Sequence, residues 1–164
     1  MKILILIRHA KSSWDNPSLP DFDRPLNERG KENAPVMAHR VKQKKIKIDA
    51  FVSSPAKRAK KTAKIFMKEL GTAESELILL PSLYGASVSD FYKVTEELDD
   101  DLDCVALFSH NPGITDFINS LDCLPVYNMP TCGVYAIEIH TQKWDQFKEA
   151  EKKFLFFDFP KKEE

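Results

Sequence analysis

Five apolar residues, Ile3-Leu4-Ile5-Leu6-Ile7, run without a polar break into Arg8-His9. A short unbroken apolar run predicts a strand covered on both faces, as inside a parallel sheet. Cys104-Val105-Ala106-Leu107-Phe108 repeats the pattern and runs into Ser109-His110-Asn111-Pro112-Gly113. Between them, Ile48 to Ser53 predicts a strand centred on Ala50-Phe51-Val52, and Leu77 to Leu80 a short one. Helical spacing predicts a helix from Glu28, capped by Asn27, to about Lys45, with Pro35 distorting its middle or marking a new first turn. Ser53-Ser54-Pro55 predicts a hydroxyl cap with proline at the first helical position, opening a helix that Gly71 ends. A further helix is predicted from about Val88 to Leu98, capped by Ser87 or Ser89. Another runs through Ile114, Phe117, Ile118 and Leu121. Gly133 to His140 and Lys153 to Phe159, with Trp144 between them, predict an edge hairpin. Residues 10–26 and 122–132 read as loops, and Asp99-Asp100-Asp101 as a solvated turn. The pattern predicts an α/β fold: three α/β/α layers, a mostly parallel central sheet and an antiparallel edge. One domain is expected over residues 1–160, with a loose tail at 161–164.

Composition narrows the function classes. With 43% apolar and 30% charged residues in 164, the chain is long enough for a real core and reads as an ordinary globular protein. Its net charge of −1 gives no general attraction to nucleic acid or to an anionic membrane. Cys104, Cys123 and Cys132 have no CxxC spacing, which predicts reduced thiols and a cytoplasmic protein. The first apolar run is too short for a signal peptide and ends at Arg8 with no small-residue cleavage site. No segment approaches the ~20 apolar residues that span a bilayer.

The chemistry gathers where the strands end. In open α/β sheets, sites form at the carboxyl ends of the strands, and three of them deliver Arg8-His9, Arg58 and His110. At about 100° per residue, Ala56, Ala59, Ala63, Phe66, Met67 and Leu70 share one face of the second helix. Lys57, Lys60, Lys61, Lys64 and Lys68 share another, an ordinary solvated face on its own. Arg58 lies on neither and sits in the first turn, where it can lean over the sheet edge. Two guanidiniums and two imidazoles make a site for a dianion, because arginine's planar fork pairs with phosphate oxygens. The helix N-termini after Pro55 and Pro112 add backbone N–H groups. His9 can then act as a nucleophile on phosphorus, neutral at the attacking nitrogen, its other nitrogen donating to a backbone carbonyl. His39 and His140 read as surface histidines. Cys104 and Cys132 read as core residues, and Asp21 and Asp23 with Arg24 as residues that lace the long loop.

Four short motifs, in order, resemble one family over nearly the whole chain. Arg8-His9-Ala10-Lys11, Leu26-Asn27-Glu28-Arg29-Gly30, Ser53-Ser54-Pro55 with Arg58-Ala59 and Thr62-Ala63, and Ser109-His110-Asn111-Pro112 are similar to the signatures of the histidine phosphatase superfamily, also called phosphoglycerate mutase-like. The small size and the run from Arg8 to Gly30 look most like its SixA branch, phosphatases linked to phosphohistidine on signalling proteins. The resemblance implies His9 as the nucleophile of a phosphohistidine intermediate, with Arg8, Arg58 and His110 on the phosphoryl oxygens. It implies no metal and no cofactor. Asp15 stands where many relatives carry a phosphate-contacting Asn. A carboxylate there repels the substrate, so Ser12 or Ser13 is expected to substitute, and Asn111 joins Ser12 as a phosphate-binding candidate.

Many relatives also carry a general acid after the third strand. Here Pro81 to Ser87 holds no carboxylate, and the first is Asp90. An alkoxide leaving group needs a proton, whereas an imidazole can carry its own. The missing acid favours P–N bonds, or acidic leaving groups such as aryl phosphates, over sugar phosphates. With the resemblance, the expected substrate is phosphohistidine on a phosphorylated protein, with a small phosphomonoester as the alternative. A catalytically silent phosphoprotein-binding module, a metal hydrolase ligated by His9 and His110, and a mutase are the rival readings.

Overall fold

The two histidine-bearing runs become neighbouring parallel strands, β1 (Lys2–Arg8) and β4 (Cys104–Ser109). The computed structural model describes residues 1–161, so the predicted tail lies, beyond Lys161, outside the described residues. The remaining elements are α1 (Glu28–Gln43), β2 (Ala50–Ser53), α2 (Lys57–Glu69), β3 (Ile78–Leu79), α3 (Val88–Glu96), α4 (Gly113–Ser120), β5 (Val134–Ile139) and β6 (Lys152–Asp158). The sheet has the order β3-β2-β4-β1-β5-β6. The first four strands in that order are parallel, and β5 and β6 close the edge antiparallel.

Alternate residues of β1 enter different cores. Leu4 and Leu6 join Val105, Leu107, Phe91 and Phe117 on the side of α3 and α4. Ile5 and Ile7 join Ala106, Phe108, Met37 and Phe66 on the side of α1 and α2. A strand between two helical layers has no wet face, and the unbroken apolar run follows from that. The three layers and the mostly parallel sheet are thus as expected.

Several boundaries differ from the pattern-based reading. α1 stops at Gln43 and continues through Pro35. Pro35 and Lys31, one turn before it, are both exposed, so the carbonyl left without a ladder partner faces water. α2 starts at Lys57 with Ala56 as its N-cap and no side-chain cap, two residues later than Pro55. The Ser54 hydroxyl accepts from the Ala56 N–H at 3.2 Å and meets His110 Nε2 at 2.7 Å, so it serves a tight turn and the histidine instead. β3 shrinks to two exposed residues. α3 has the expected start, with Ser87 and Asp90 forming a capping box.

One glycine is dictated by close approach. A Cβ at Gly30 would overlap the Lys11 carbonyl oxygen. That oxygen accepts from Asn27 N–H at 3.0 Å, and Asn27 Oδ1 caps Gly30 N–H at 2.8 Å. The start of α1 is thereby seated on the segment that follows His9.

Candidate active site

The strand register brings three chain segments out of the sheet at one level. Arg8 pairs with Ser109 and Ser53 with Phe108. Just beyond, His9 N–H donates to Ser109 O at 3.1 Å and Ser54 N–H to Phe108 O at 2.9 Å. His9, Ser54 and His110 are thus neighbours by construction, and Arg58 reaches in from the first turn of α2. Arg58 Nε lies 3.4 Å from His9 Nε2, and the two imidazole rings are 5.0 Å apart. His9, Arg58 and His110 are all buried.

The His9 ring is held from behind. Nδ1 lies 2.7 Å from Ala10 O, an oxygen that only accepts, so Nδ1 carries the proton and Nε2 keeps its lone pair. Ala10 N–H donates to Thr62 Oγ1 at 3.0 Å, and that hydroxyl donates to Arg58 O at 2.8 Å. Thr62 therefore ties the backbone that orients His9 to the helix that carries Arg58. Cys132 N–H donates to His9 O at 3.0 Å and Arg8 Nη1 to Met129 O at 2.8 Å, so the 122–132 loop braces the other side.

Among the described residues, two buried side-chain nitrogens lack a hydrogen-bond partner: Arg8 Nε and His110 Nδ1. Both belong to this cluster. Buried polar atoms are nearly always paired, and an exception calls for an explanation, a catalytic role among them.

Burial and neighbouring cations set the charge states. Burial, helped by His110, Arg58 and Arg8, lowers the His9 pKa to about 3 against the Ala10 hydrogen bond. Burial and Arg58 lower that of His110 to about 4. Burial, then Arg58, also lowers Arg8 from its ordinary value. The cluster is thus two arginine cations and two neutral imidazoles at neutral pH. Between pH 6.5 and about 4 the unfolded chain takes up protons at both histidines and the folded chain does not. The contribution of these two histidines is full above pH 6.5 and falls with acidification, by up to about 1.4 kcal/mol per pH unit for each. Urea unfolding of the parent between pH 7 and pH 4.5 is expected to show that slope. His9→Ala/His110→Ala is expected to flatten it, and an unchanged slope would remove these histidines as its source.

Two residues outside the predicted set join the site. Arg58 Nη2 donates to Asp21 Oδ2 at 2.9 Å and Nη1 to Asp21 O at 2.6 Å. Tyr84 Oη donates to the same Oδ2 at 2.7 Å, and its ring meets His110 edge-on at 5.5 Å. Asp21 does more than lace the loop: it grips the outer edge of Arg58. The Tyr84 hydrogen bond, with Arg58 and Arg24, holds its carboxyl well below the usual carboxylate range, against partial desolvation. Asp21 in turn raises the Tyr84 phenol.

Two other candidates have their side chains engaged by protein partners. The Ser12 hydroxyl accepts from Arg24 Nη2, and Ser12 bridges to Leu26. Asn111 Nδ2 donates to Asn128 Oδ1 at 2.6 Å and Met129 O at 3.2 Å, while its Oδ1 accepts from Thr115 at 2.6 Å. Its amide anchors the 122–132 loop. Lys11, Asp15, His39 and His140 are exposed. Burial pushes the Cys104 and Cys132 thiols up to about 12, which leaves them inert. Among the described residues, no three His, Cys, Asp or Glu side chains group as a metal ion requires.

The model of the histidine phosphatase superfamily, branch 1, matches residues 4–116. The chain belongs to that superfamily. Among its histidine phosphatase-fold neighbours, the protein histidine phosphatase SixA complexed with tungstate superposes with a TM-score of 0.81 at 21% identity, over 96% of this chain and 97% of that one. A protein assigned as SixA from Agrobacterium tumefaciens gives 0.81 at 22% identity, over 97% and 98%. At these identities the likeness speaks for the fold. In sequence, an uncharacterised chloroplastic protein of Arabidopsis thaliana is 28% identical over 87% of this chain and 69% of its own. A 2,3-bisphosphoglycerate-dependent phosphoglycerate mutase of Bartonella henselae is 31% identical over 54% of this chain but only 44% of its own. The family match supports a phosphatase. No helix among the described residues is long and apolar enough to cross a membrane.

Proposed function

We propose that this chain hydrolyses phosphoryl groups through a phosphohistidine intermediate on His9, and that its substrate is phosphohistidine on a protein. The observation that carries the reading is the pair of unpartnered buried nitrogens, Arg8 Nε and His110 Nδ1, in the cluster where the His9 Nε2 lone pair faces Arg58 Nε at 3.4 Å. In this reading they and Arg58 Nε hold a tetrahedral oxyanion. The tungstate bound by the SixA structure is an oxyanion of that kind.

The proposed steps balance without an added cofactor or metal. The His9 Nε2 lone pair attacks phosphorus and the bond to the leaving group breaks. The phosphorylated imidazole retains its Nδ1 proton on Ala10 O. Water then attacks phosphorus, the P–Nε2 bond breaks and returns its pair to His9, and the surplus proton leaves with solvent or phosphate. Arg8, Arg58 and His110 hold the phosphoryl oxygens as charge shifts.

The leaving group follows from the acids at hand. Asp90 is engaged in the α3 cap, Asp21 is held ionised, and the Tyr84 hydroxyl gives its proton to the Asp21 hydrogen bond at 2.7 Å. None is poised to protonate an alkoxide. A phosphoimidazole needs no such proton, because its remote nitrogen already carries one. The test is a turnover panel of phosphohistidine peptide, phosphoserine, phosphotyrosine and small alkyl phosphates. Phosphohistidine is expected to exceed alkyl phosphates by at least ~100-fold in kcat/KM, about the worth of one proton-transfer group. Activity is expected to survive EDTA and to be inhibited by tungstate. Comparable kcat/KM on an alkyl phosphate would overturn the substrate assignment, and loss in EDTA would return the metal hydrolase.

A further inference from the structure

Beside the site lies a groove of about 540 Å³ between the starts of α1 and α2. Phe22, Pro25, Leu26 and Pro55 supply its apolar lining. Lys31, Lys57, Lys60, Lys61 and Lys64 line it as well, with Asp23 as the acid among them. Lys31 is 3.7 Å from Glu28. Among the described residues, Lys57, Lys60, Lys61 and Lys64 have no carboxylate within 4 Å.

This arrangement works against the helix that carries it. The first turn of α2 has no acidic residue, so Lys57, Arg58, Lys60 and Lys61 crowd the positive end of the helix dipole. Lysines at i, i+3, i+4 and i+7 also repel one another. A face kept merely for solubility gains from Glu interleaved with Lys, and here there is none before Glu69. From Lys57 to Lys64 the stripe rises seven steps, about 10 Å at 1.5 Å each, which matches about three residues of extended chain.

The groove meets the phosphoryl site at the Asp21–Asp23 turn, whose Phe22 and Asp23 line it and whose Asp21 holds Arg58. Lys57 adjoins Arg58 in sequence. The Asp21–Asp23 turn places Asp21 on Arg58, while Phe22 packs edge-on against Tyr84 at 5.1 Å, and Tyr84 packs against His110. We propose that this groove binds an acidic segment of the phosphorylated protein, about three residues long, next to the phosphoryl-bearing side chain. The proposal rests on the protein-phosphohistidine reading above. The shape is a concave slot with apolar lining, fitted to a peptide rather than to a flat bilayer. The overall charge of −1 supplies no wider field for nucleic acid.

The test compares the parent with Lys60→Glu/Lys64→Glu on three substrates: a phosphohistidine peptide flanked by Asp and Glu, the same peptide flanked by Ser and Gly, and p-nitrophenyl phosphate. The variant is expected to lose at least ~10-fold in kcat/KM on the acidic peptide, through KM. It should remain within about twofold on the other two. Its Tm is expected to hold or rise, since acids relieve the repulsion on α2. An unphosphorylated acidic peptide should compete with the acidic substrate and not with p-nitrophenyl phosphate. If the parent hydrolyses p-nitrophenyl phosphate but neither peptide, the substrate reading fails and takes the groove with it. If both peptides turn over alike and the charge reversal moves neither, the groove alone fails. Tighter binding of an oligonucleotide or an anionic vesicle than of the acidic peptide, abolished in the variant, would also overturn it.

Discussion

His9→Ala is expected to lower kcat by at least ~10⁴-fold, the scale on which removal of a nucleophile acts. The reason is geometric. Of the two site imidazoles, His9 is the one whose tautomer a carbonyl fixes, Nδ1 to Ala10 O at 2.7 Å, which turns the Nε2 lone pair toward Arg58 Nε. The His110 Nε2 is already occupied by Ser54 at 2.7 Å. The variant keeps Arg8, Arg58 and His110, so tungstate should still bind within about tenfold of the parent, separating chemistry from binding. Rapid quenching of the parent with labelled substrate should yield an acid-labile, base-stable label that His9→Ala lacks. Label that persists in the variant would move the nucleophile elsewhere. Phosphopeptide binding with neither turnover nor label in the parent would establish the silent binding module instead.

Arg58→Ala is expected to cost ~100- to 1000-fold, the usual worth of one preorganised electrostatic contact. Its guanidinium has a divided task. Nε faces His9 Nε2 at 3.4 Å, and the outer nitrogens are clamped by the Asp21 carboxylate and carbonyl at 2.9 and 2.6 Å. Arg58→Lys should recover little, because one ammonium cannot reach the phosphoryl group and hold Asp21 together. Asp21→Asn, which keeps the carbonyl contact and shape but loses the charge, should cost less than Arg58→Ala and should act on kcat through the aim of the guanidinium. Near-native turnover in Arg58→Ala would remove that residue from the site. Arg8→Ala and His110→Ala are expected to cost at least ~100-fold on the same grounds.

How far the site can be read from the chain depends on where its parts come from. His9 and His110 announce themselves, because each follows an unbroken apolar run whose carboxyl end is a known place for chemistry. Arg58 stands out from the lysines by its position on the helix. Asp21 and Tyr84 give no such sign. They lie 37 and 26 residues from Arg58, in a loop and after a two-residue strand, neither with a usable period. Ser54 reads as a cap and becomes a histidine partner. Thr62 reads as one residue of a motif and proves to be the tie between two segments of the site. Ser12 and Asn111 have the right chemistry, but their hydrogen bonds go to Arg24 and to the 122–132 loop.

Local pattern alone determines the buried strands, the helices that cover them and the edge at which Arg8, His9, Arg58 and His110 emerge. Burial and periodicity are properties of neighbours along the chain. The strand order, the two nitrogens left unpaired, the carboxylate that grips Arg58 and the lysine-lined slot belong to the tertiary structure. They arise from distances between segments that no local periodicity encodes, and the depressed histidine pKa values follow from the same packing.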